Sequence, residues 1–324
     1  MNILITGANG FIGQALCKRL IADGHNVRGA VRSAAQMTLL PSDGEGTLVG
    51  DIGRETDWSE ALDGIECVVH LAARVHIMSK SAADRLSVFR EVNVEGTKRL
   101  AQQAAEAGVK RLVYVSSVKV NGEDNSEPYT EMDMASPRDP YGISKWEAEQ
   151  VLYKIASDKG LEVVVLRLPL VYGPGVKANF LRLLKLIHKC IPLPFGLVHN
   201  RRSMLYLGNL VSAIMTCLKH PGAAGETFLI SDGEDISTVD LVRKMASAMD
   251  RRSVLLPVSL VMLKALGTLT GKKADIDRLT GSLCLDSSKI RVLLDWQAPY
   301  TIEQGIQETV DWYQSFMFTL NKGF

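Results

Sequence analysis

The sequence predicts an α/β fold: a doubly wound parallel sheet carrying a smaller C-terminal substrate-binding region. Two observations predict it. Short, nearly continuously apolar runs alternate with amphipathic stretches through the first half of the chain, as parallel strands covered on both faces alternate with crossover helices. Glycines stand just past the helical stretches, at Gly24, Gly64, Gly108 and Gly160, where helix C-termini favour them.

The elements follow in order. Strands are expected at Asn2–Thr6, Asn26–Val31, Thr47–Gly50, Glu66–Leu71, Arg111–Ser116 and Glu162–Leu168. Helices are expected at Phe11–Asp23 and Asp57–Leu62, as one long helix within Ala82–Ala107, and at Tyr141–Ser157. Repeated β-α-β units imply right-handed crossovers. After Leu168 the rhythm changes, because Pro169, Gly173, Pro174, Pro192, Pro194 and Pro221 interrupt the chain. A strand at Thr227–Ser231 and a helix at Thr238–Met249 follow. The expected division is a cofactor-binding domain over 1–168 and a mainly substrate-binding region over 169–324, with segments near 203–232 returning to the first.

Composition narrows the class of partner. The 324 residues hold 37 Lys plus Arg against 36 Asp plus Glu, a net charge of +1. That balance excludes a general nucleic-acid or polybasic membrane binder but allows a local basic pocket. The five cysteines are scattered, with no C-x-x-C pair, so neither a disulfide framework nor a zinc site is expected, and a reducing cytoplasm fits. The N-terminus lacks the basic and apolar regions of a signal peptide. The apolar stretch 255–269 is too short to span a bilayer. It reads first as a packed helix and second as a peripheral membrane contact.

The first strand runs into Thr6-Gly7-Ala8-Asn9-Gly10-Phe11-Ile12-Gly13. Glycines at this spacing permit a tight turn and let backbone approach a pyrophosphate, while the following helix offers free N–H groups and its positive dipole end. Gly7, Gly10, Phe11, Ile12 and Gly13 are therefore expected to hold a dinucleotide. The second strand ends Val31-Arg32-Ser33 without a carboxylate. An acid there would bond a ribose 2′-hydroxyl, and an arginine would accommodate a 2′-phosphate. Arg32 thus points to NADP(H), with NAD(H) as the other possibility. Asp51 and Ile52, after the third strand, are candidates to cover the adenine. Leu71, Ala72 and Ala73, after the fourth, offer room for close cofactor passage.

Tyr141 and Lys145 stand at i and i+4, on one face of a helix. Ser117 lies at the carboxyl end of the fifth strand, where doubly wound folds bind ligands. Hydride transfer to a carbonyl requires a proton for its oxygen, and a free tyrosine with a pKa of about 10 is poorly matched to pH 7. A neighbouring ammonium and an oxidised nicotinamide both favour phenolate. The sequence therefore predicts Tyr141 as acid/base with a lowered pKa, Lys145 as its tuner and ribose anchor, and Ser117 as the group orienting the carbonyl oxygen.

These motifs resemble the extended short-chain dehydrogenase/reductase family, in its nucleotide-sugar branch. The resemblance rests on Thr6-Gly7-x-x-Gly10-x-x-Gly13, His70-Leu71-Ala72-Ala73, Asn93-Val94-x-Gly96-Thr97, Ser116-Ser117, Pro137-x-x-x-Tyr141-x-x-Ser144-Lys145 and Arg167-x-Pro169-x-x-Tyr172-Gly173-Pro174. It implies a Rossmann-type sheet, a UDP-sugar substrate and a homodimer formed through the two long helices. It also implies phosphate contacts from Arg202 and Asn179, and a part for Asn93 in a water relay from Lys145. Ser203 and Asn209 stand where the related segment carries aspartates. Ser116-Ser117-Val118-Lys119-Val120-Asn121-Gly122 is similar to reductases of UDP-4-keto-6-deoxy-N-acetylglucosamine that make UDP-N-acetylquinovosamine for surface polysaccharide. That places Lys119 against the sugar. The leading expectation is such a 4-keto reductase. The alternatives are an NAD-dependent UDP-hexose or UDP-HexNAc 4-epimerase and a non-catalytic NADP(H)-binding regulator.

Overall fold

The computed structural model describes residues 1–75, 82–271 and 273–322. Strand β1 (Asn2–Thr6) is buried along its apolar centre and leads through the glycine turn into α1 (Phe11–Ala22). β2 (Asn26–Val31) pairs with β1 in parallel. β3 occupies Glu45–Leu48, two residues earlier than expected. It is the sheet edge, paired on one side only, so burial does not mark its ends. Its register, Arg28 opposite Glu45, carries an ion pair of 3.0 Å between those two side chains. α2 (Ser59–Leu62) and β4 (Cys67–His70) follow.

The long helix expected within 82–107 is three pieces. α3 (Ala82–Arg90) passes into a π-helical turn at 91–96 and then into α4 (Thr97–Glu106). Gly96 sits in that turn, where a Cβ would stand 2.4 Å from the Ile52 side chain. The turn brings the helix hard against the loop after β3. β5 (Arg111–Ser117) is followed by α5 (Pro140–Lys159). Proline at the first helical position, an Asp139 cap and Gly160 at φ +72° define both ends of α5.

β6 (Glu162–Leu168) and β7 (Leu170–Tyr172) separate at Pro169. The remainder comprises α6 (Ala178–His188), β8 (Arg202–Tyr206), α7 (Leu207–Lys219), β9 (Thr227–Leu229), β10 (Asp235–Ile236) and α8 (Thr238–Ala248), then α9 (Leu260–Leu269), α10 (Lys273–Thr280), α11 (Ser288–Leu294) and α12 (Ile302–Lys322).

The main sheet is parallel with order β3-β2-β1-β4-β5-β6-β9. Strand order reverses between β1 and β4, which places a ligand crevice at their carboxyl ends. β7, β8 and β10 form a separate three-stranded sheet. One face of the main sheet buries Ile3, Ile5, Leu16, Val113 and Leu166 together with α7; Ile290, Leu294 and Trp296 from the end of the chain join that cluster. The other face buries Leu4, Val68, Leu100, Leu112 and Leu152. A third cluster, around Tyr172, Phe180, Met204, Met245 and Ile306, holds the C-terminal region together. No helix among the described residues is long and apolar enough to cross a membrane.

Candidate active site

The glycine turn is shaped by close backbone approach. Gly7 has φ +68°, and a Cβ there would sit 3.0 Å from the Ala72 nitrogen. At Gly13 a Cβ would lie 2.2 Å from the Gly7 carbonyl oxygen and 2.7 Å from the Ala8 backbone. No side chain caps α1 at Gly10, so the N–H groups of its first turn, at Phe11 and Ile12, are free of intrahelical partners. Small residues and uncapped N–H groups fit a dinucleotide pyrophosphate.

A network missed by sequence reading stiffens this corner. Ala72 N–H donates to Thr6 Oγ1 at 3.1 Å, and His70 Nδ1 lies 2.6 Å from the same oxygen. His70 Nε2 reaches Thr97 Oγ1 at 2.9 Å. Burial, with a smaller contribution from Lys145, pushes the His70 pKa down to about 3, so the ring is neutral. It ties together the ends of β1 and β4 and the start of α4. A polar residue closing the apolar run Val68-Val69-His70 was the available signal.

Arg32 and Asp51 meet at the ends of β2 and β3, with Nη1 and Oδ1 3.7 Å apart and both side chains exposed. Ile52 packs on Gly96. Leu71, Ala72 and Ala73 follow β4, beside Gly7.

At the end of β5 the two serines part company. Ser116 donates inward to buried Glu149. Ser117, on the other side of the pleat, accepts from the Lys119 N–H at 3.3 Å. Tyr141 is largely buried, its ring edge-on to Phe89 with centroids 6.0 Å apart. Lys145 is buried, donates to the Val115 carbonyl at 2.6 Å and lies 4.0 Å above the Tyr114 ring. Burial, then the Asp139 charge, pushes the Tyr141 phenol up to about 12. Burial lowers the Lys145 ammonium to about 7. The expected lowering of the Tyr141 pKa is therefore not a property of these side chains alone. Desolvation disfavours the charged form of both.

Asn93, in the π turn, accepts from Arg74 N–H at 2.8 Å and donates to the Arg74 carbonyl and to Ser144 Oγ at 3.1 and 3.0 Å. Ser144 in turn donates to the Tyr141 carbonyl at 2.8 Å. Asn93 thus braces the turn that carries Tyr141.

The substrate candidates are engaged by protein groups. Lys119 pairs with Asp139 and, at 3.1 Å, with Glu123. The other Asp139 oxygen accepts from Gly142 N–H at 2.6 Å and so caps α5. This clamp joins the Ser117 turn to the start of the Tyr141 helix. Asp139→Ala is expected to lower stability by about 1 kcal/mol through the lost cap, read as a shift in the urea midpoint. Asn179 donates to Asp275 at 3.3 Å, and Arg202 donates to the carbonyls of Arg278 and Gly281 at 2.7 and 2.9 Å. Asn179 and Arg202 are thus both tied to α10 or its C-terminal end. A cavity of about 980 Å³ lies behind the glycine turn between α1, α7 and α12 and is lined by none of Ser117, Tyr141 and Lys145.

A parallel sheet whose order reverses beside a glycine turn, with Ser117 ending β5 and Tyr141 and Lys145 opening α5, is the arrangement of an enzyme of the extended short-chain dehydrogenase/reductase type. Residues 3–231 match the model of the NAD dependent epimerase/dehydratase family, and the chain belongs to that family. A UDP-glucose 4-epimerase of Vibrio cholerae is 44% identical over 99% of this chain and 97% of its own. An N-acetyl-alpha-D-glucosaminyl-diphospho-ditrans,octacis-undecaprenol 4-epimerase of Escherichia coli O157:H7 is 30% identical over 96% and 95%. The fold is also that of a UDP-glucuronic acid 4-epimerase from Bacillus cereus solved in complex with NAD, with a TM-score of 0.79, 23% identity and coverage of 98% and 99%.

Proposed function

We propose that the protein is an NAD-dependent 4-epimerase of a UDP-linked hexose or N-acetylhexosamine. The observation that carries this reading is full-length similarity to a UDP-glucose 4-epimerase, in a chain that carries Ser117 at the end of β5 and Tyr141 and Lys145 at the start of α5. It displaces the 4-keto reductase as the leading reading.

The glycine turn of Gly7, Gly10 and Gly13 would hold the dinucleotide, whose nicotinamide would supply reversible hydride exchange with C4 on either face of the ketone. Tyr141 takes the proton of the 4-hydroxyl as the ketone forms and gives it back as the ketone is reduced. Ser117 holds the C4 oxygen in line with the phenol. Lys145, when protonated, supplies the positive charge that offsets the burial of a phenolate. Arg202 and Asn179 are the nearest candidates for the sugar-nucleotide phosphates, and engagement there requires Arg202 to exchange its carbonyl partners for the ligand. In this reading the enzyme acts in the cytoplasm, where UDP-sugars are its substrates.

The reductase reading drew on Arg32. Asp51, 3.7 Å from that guanidinium, supplies next door the carboxylate that β2 lacks, which supports NAD. Arg32→Ala is expected to leave the NAD affinity within about threefold while weakening any NADP binding more than tenfold, by loss of a phosphate partner. Isothermal titration with each dinucleotide measures both. The decisive assay supplies UDP-glucose or UDP-GlcNAc without added reductant and follows C4 inversion. Interconversion with no net change in absorbance at 340 nm (the reduced-nicotinamide band) is expected. Stoichiometric NADPH loss with UDP-4-keto-6-deoxy-GlcNAc, and no interconversion, restores the reductase.

A further inference from the structure

We propose that the face formed by α9 and the neighbouring 191–197 segment docks on an anionic phospholipid surface. Helix α9 reads Leu-Val-Met-Leu-Lys-Ala-Leu-Gly-Thr-Leu, and only Leu263 and Gly267, one turn apart, are buried. Gly267 packs closely on Ile276 of α10. The rest of the helix faces outward: Val261 is 78% exposed, Leu269 84%, Met262 63% and Leu266 57%. The apolar surface continues beyond the helix. Leu193 N–H bonds the Val254 carbonyl, and Leu256 N–H bonds the Leu193 carbonyl, both at 2.8 Å. These bonds set exposed Leu256 beside the segment that carries exposed Ile191 and Leu197. At 1.5 Å per residue the ten residues of α9 reach about 15 Å, half a hydrocarbon core, so the helix can lie on a bilayer but not cross it.

Charge selects the kind of surface. Residues 251–274 contain five Lys and Arg and no acid. Arg251, Arg252, Lys264, Lys185 and Lys189 are exposed. The overall charge of +1 therefore coexists with a local group of exposed cations on α9 and next to the segments that flank it. Apolar side chains rimmed by cations are the composition of helices lying at an anionic lipid interface. A second copy of the chain is a poor occupant, because a two-fold contact repeats one patch on both subunits and brings Arg251, Arg252 and Lys264 towards their own counterparts. The proposal stands whether or not the epimerase reading holds. Its consequence for the site is geometric: α10, on which α9 packs, also contacts Asn179 and Arg202, so docking brings the candidate phosphate-binding wall close to the lipid.

Vesicle flotation of the full chain tests it. Vesicles of phosphatidylglycerol are expected to carry the protein upward at low salt, and vesicles of phosphatidylcholine to bind it about tenfold more weakly or worse. The double variant Val261→Glu/Leu269→Glu changes exposed side chains only. It should keep the parent circular dichroism and UDP-sugar turnover while losing about tenfold or more in vesicle binding. The variant Arg251→Glu/Arg252→Glu should lose binding to phosphatidylglycerol vesicles selectively. Absence of binding to phosphatidylglycerol overturns the proposal, as does binding that the Val261→Glu/Leu269→Glu variant leaves unchanged. A dimer dissociated by that variant, with no vesicle binding by the parent, reassigns the face to a second copy. Interconversion of UDP-sugars is read in a separate assay, so failure of either reading is seen independently.

Discussion

Tyr141→Phe is expected to lower kcat by about a thousandfold, within the range by which positioned proton transfer accelerates such steps. The substitution removes one oxygen and keeps the ring. The edge contact with Phe89 and the burial of the side chain are retained, so the fold and the dinucleotide affinity should change little. That separation is what makes the variant informative. Turnover is measured by C4 inversion of the UDP-sugar, cofactor affinity by titration, and folding by the thermal midpoint. A variant that keeps turnover near the parent value removes Tyr141 from the chemistry. Equal losses in turnover and folding would instead make it a packing residue.

Lys145 gives a companion result with a definite sign. Its folded-state pKa, pushed down to about 7, lies below the unfolded value of about 10.4. Between those two values the unfolded chain binds more protons, so this group raises stability as pH climbs from about 7 towards 10 and loses that contribution as pH falls back through 7. Lys145→Met should flatten the urea midpoint across that interval while removing turnover. An unchanged slope would contradict the burial of a neutralising ammonium.

Arg167→Met carries the largest expected cost in stability, about 3–5 kcal/mol. The Arg167 guanidinium donates to Glu149 at 2.7 Å and to Asn121 at 3.1 Å in the interior. Glu149 has no exposed surface and also accepts from Ser116. Removing the cation leaves a carboxylate buried without its counter-charge, and Glu149 lies one turn beyond Lys145 on α5. Urea unfolding should show the loss. The double variant Arg167→Met/Glu149→Leu should recover most of it, because an apolar pair leaves no orphaned charge. A single-variant loss below about 1 kcal/mol would show that solvent or another partner satisfies Glu149.

How much of this was legible in the sequence depends on the range of the interaction. β1, β5 and β6 were readable because their buried centres leave apolar runs, at Ile3–Ile5, Leu112–Val115 and Val163–Leu166, and β2 because glycine and small apolar residues follow Arg28. β3 was displaced because an edge strand takes its register from one neighbour and an Arg28–Glu45 pair, neither of which leaves a run. The π turn at 91–96 was invisible, since one amphipathic pattern crosses 82–107 and the local widening follows from Gly96 meeting Ile52, distant in sequence. The spacing of Tyr141 and Lys145 and the glycine turn were readable because both are local. The pairing of Arg32 with Asp51 and of Lys119 with Asp139 was not, because each joins residues from different loops. The burial that pushes the Tyr141 phenol up in the protein alone is not legible for the same reason: the sequence shows a neighbouring lysine but not the desolvation of both groups.

The seventh strand of the main sheet has a consequence for biosynthesis. Six strands are complete once residue 168 is made, yet the edge of β6 pairs with residues 227–229, and the cluster beneath β1 takes in Ile290, Leu294 and Trp296. On the ribosome, the nascent six-stranded sheet must wait with one open edge and an unfilled face until residues 227–296 have emerged. Translation speed and chaperone access between residues 169 and 296 therefore bear on the yield of a sheet whose first six strands were synthesised earlier.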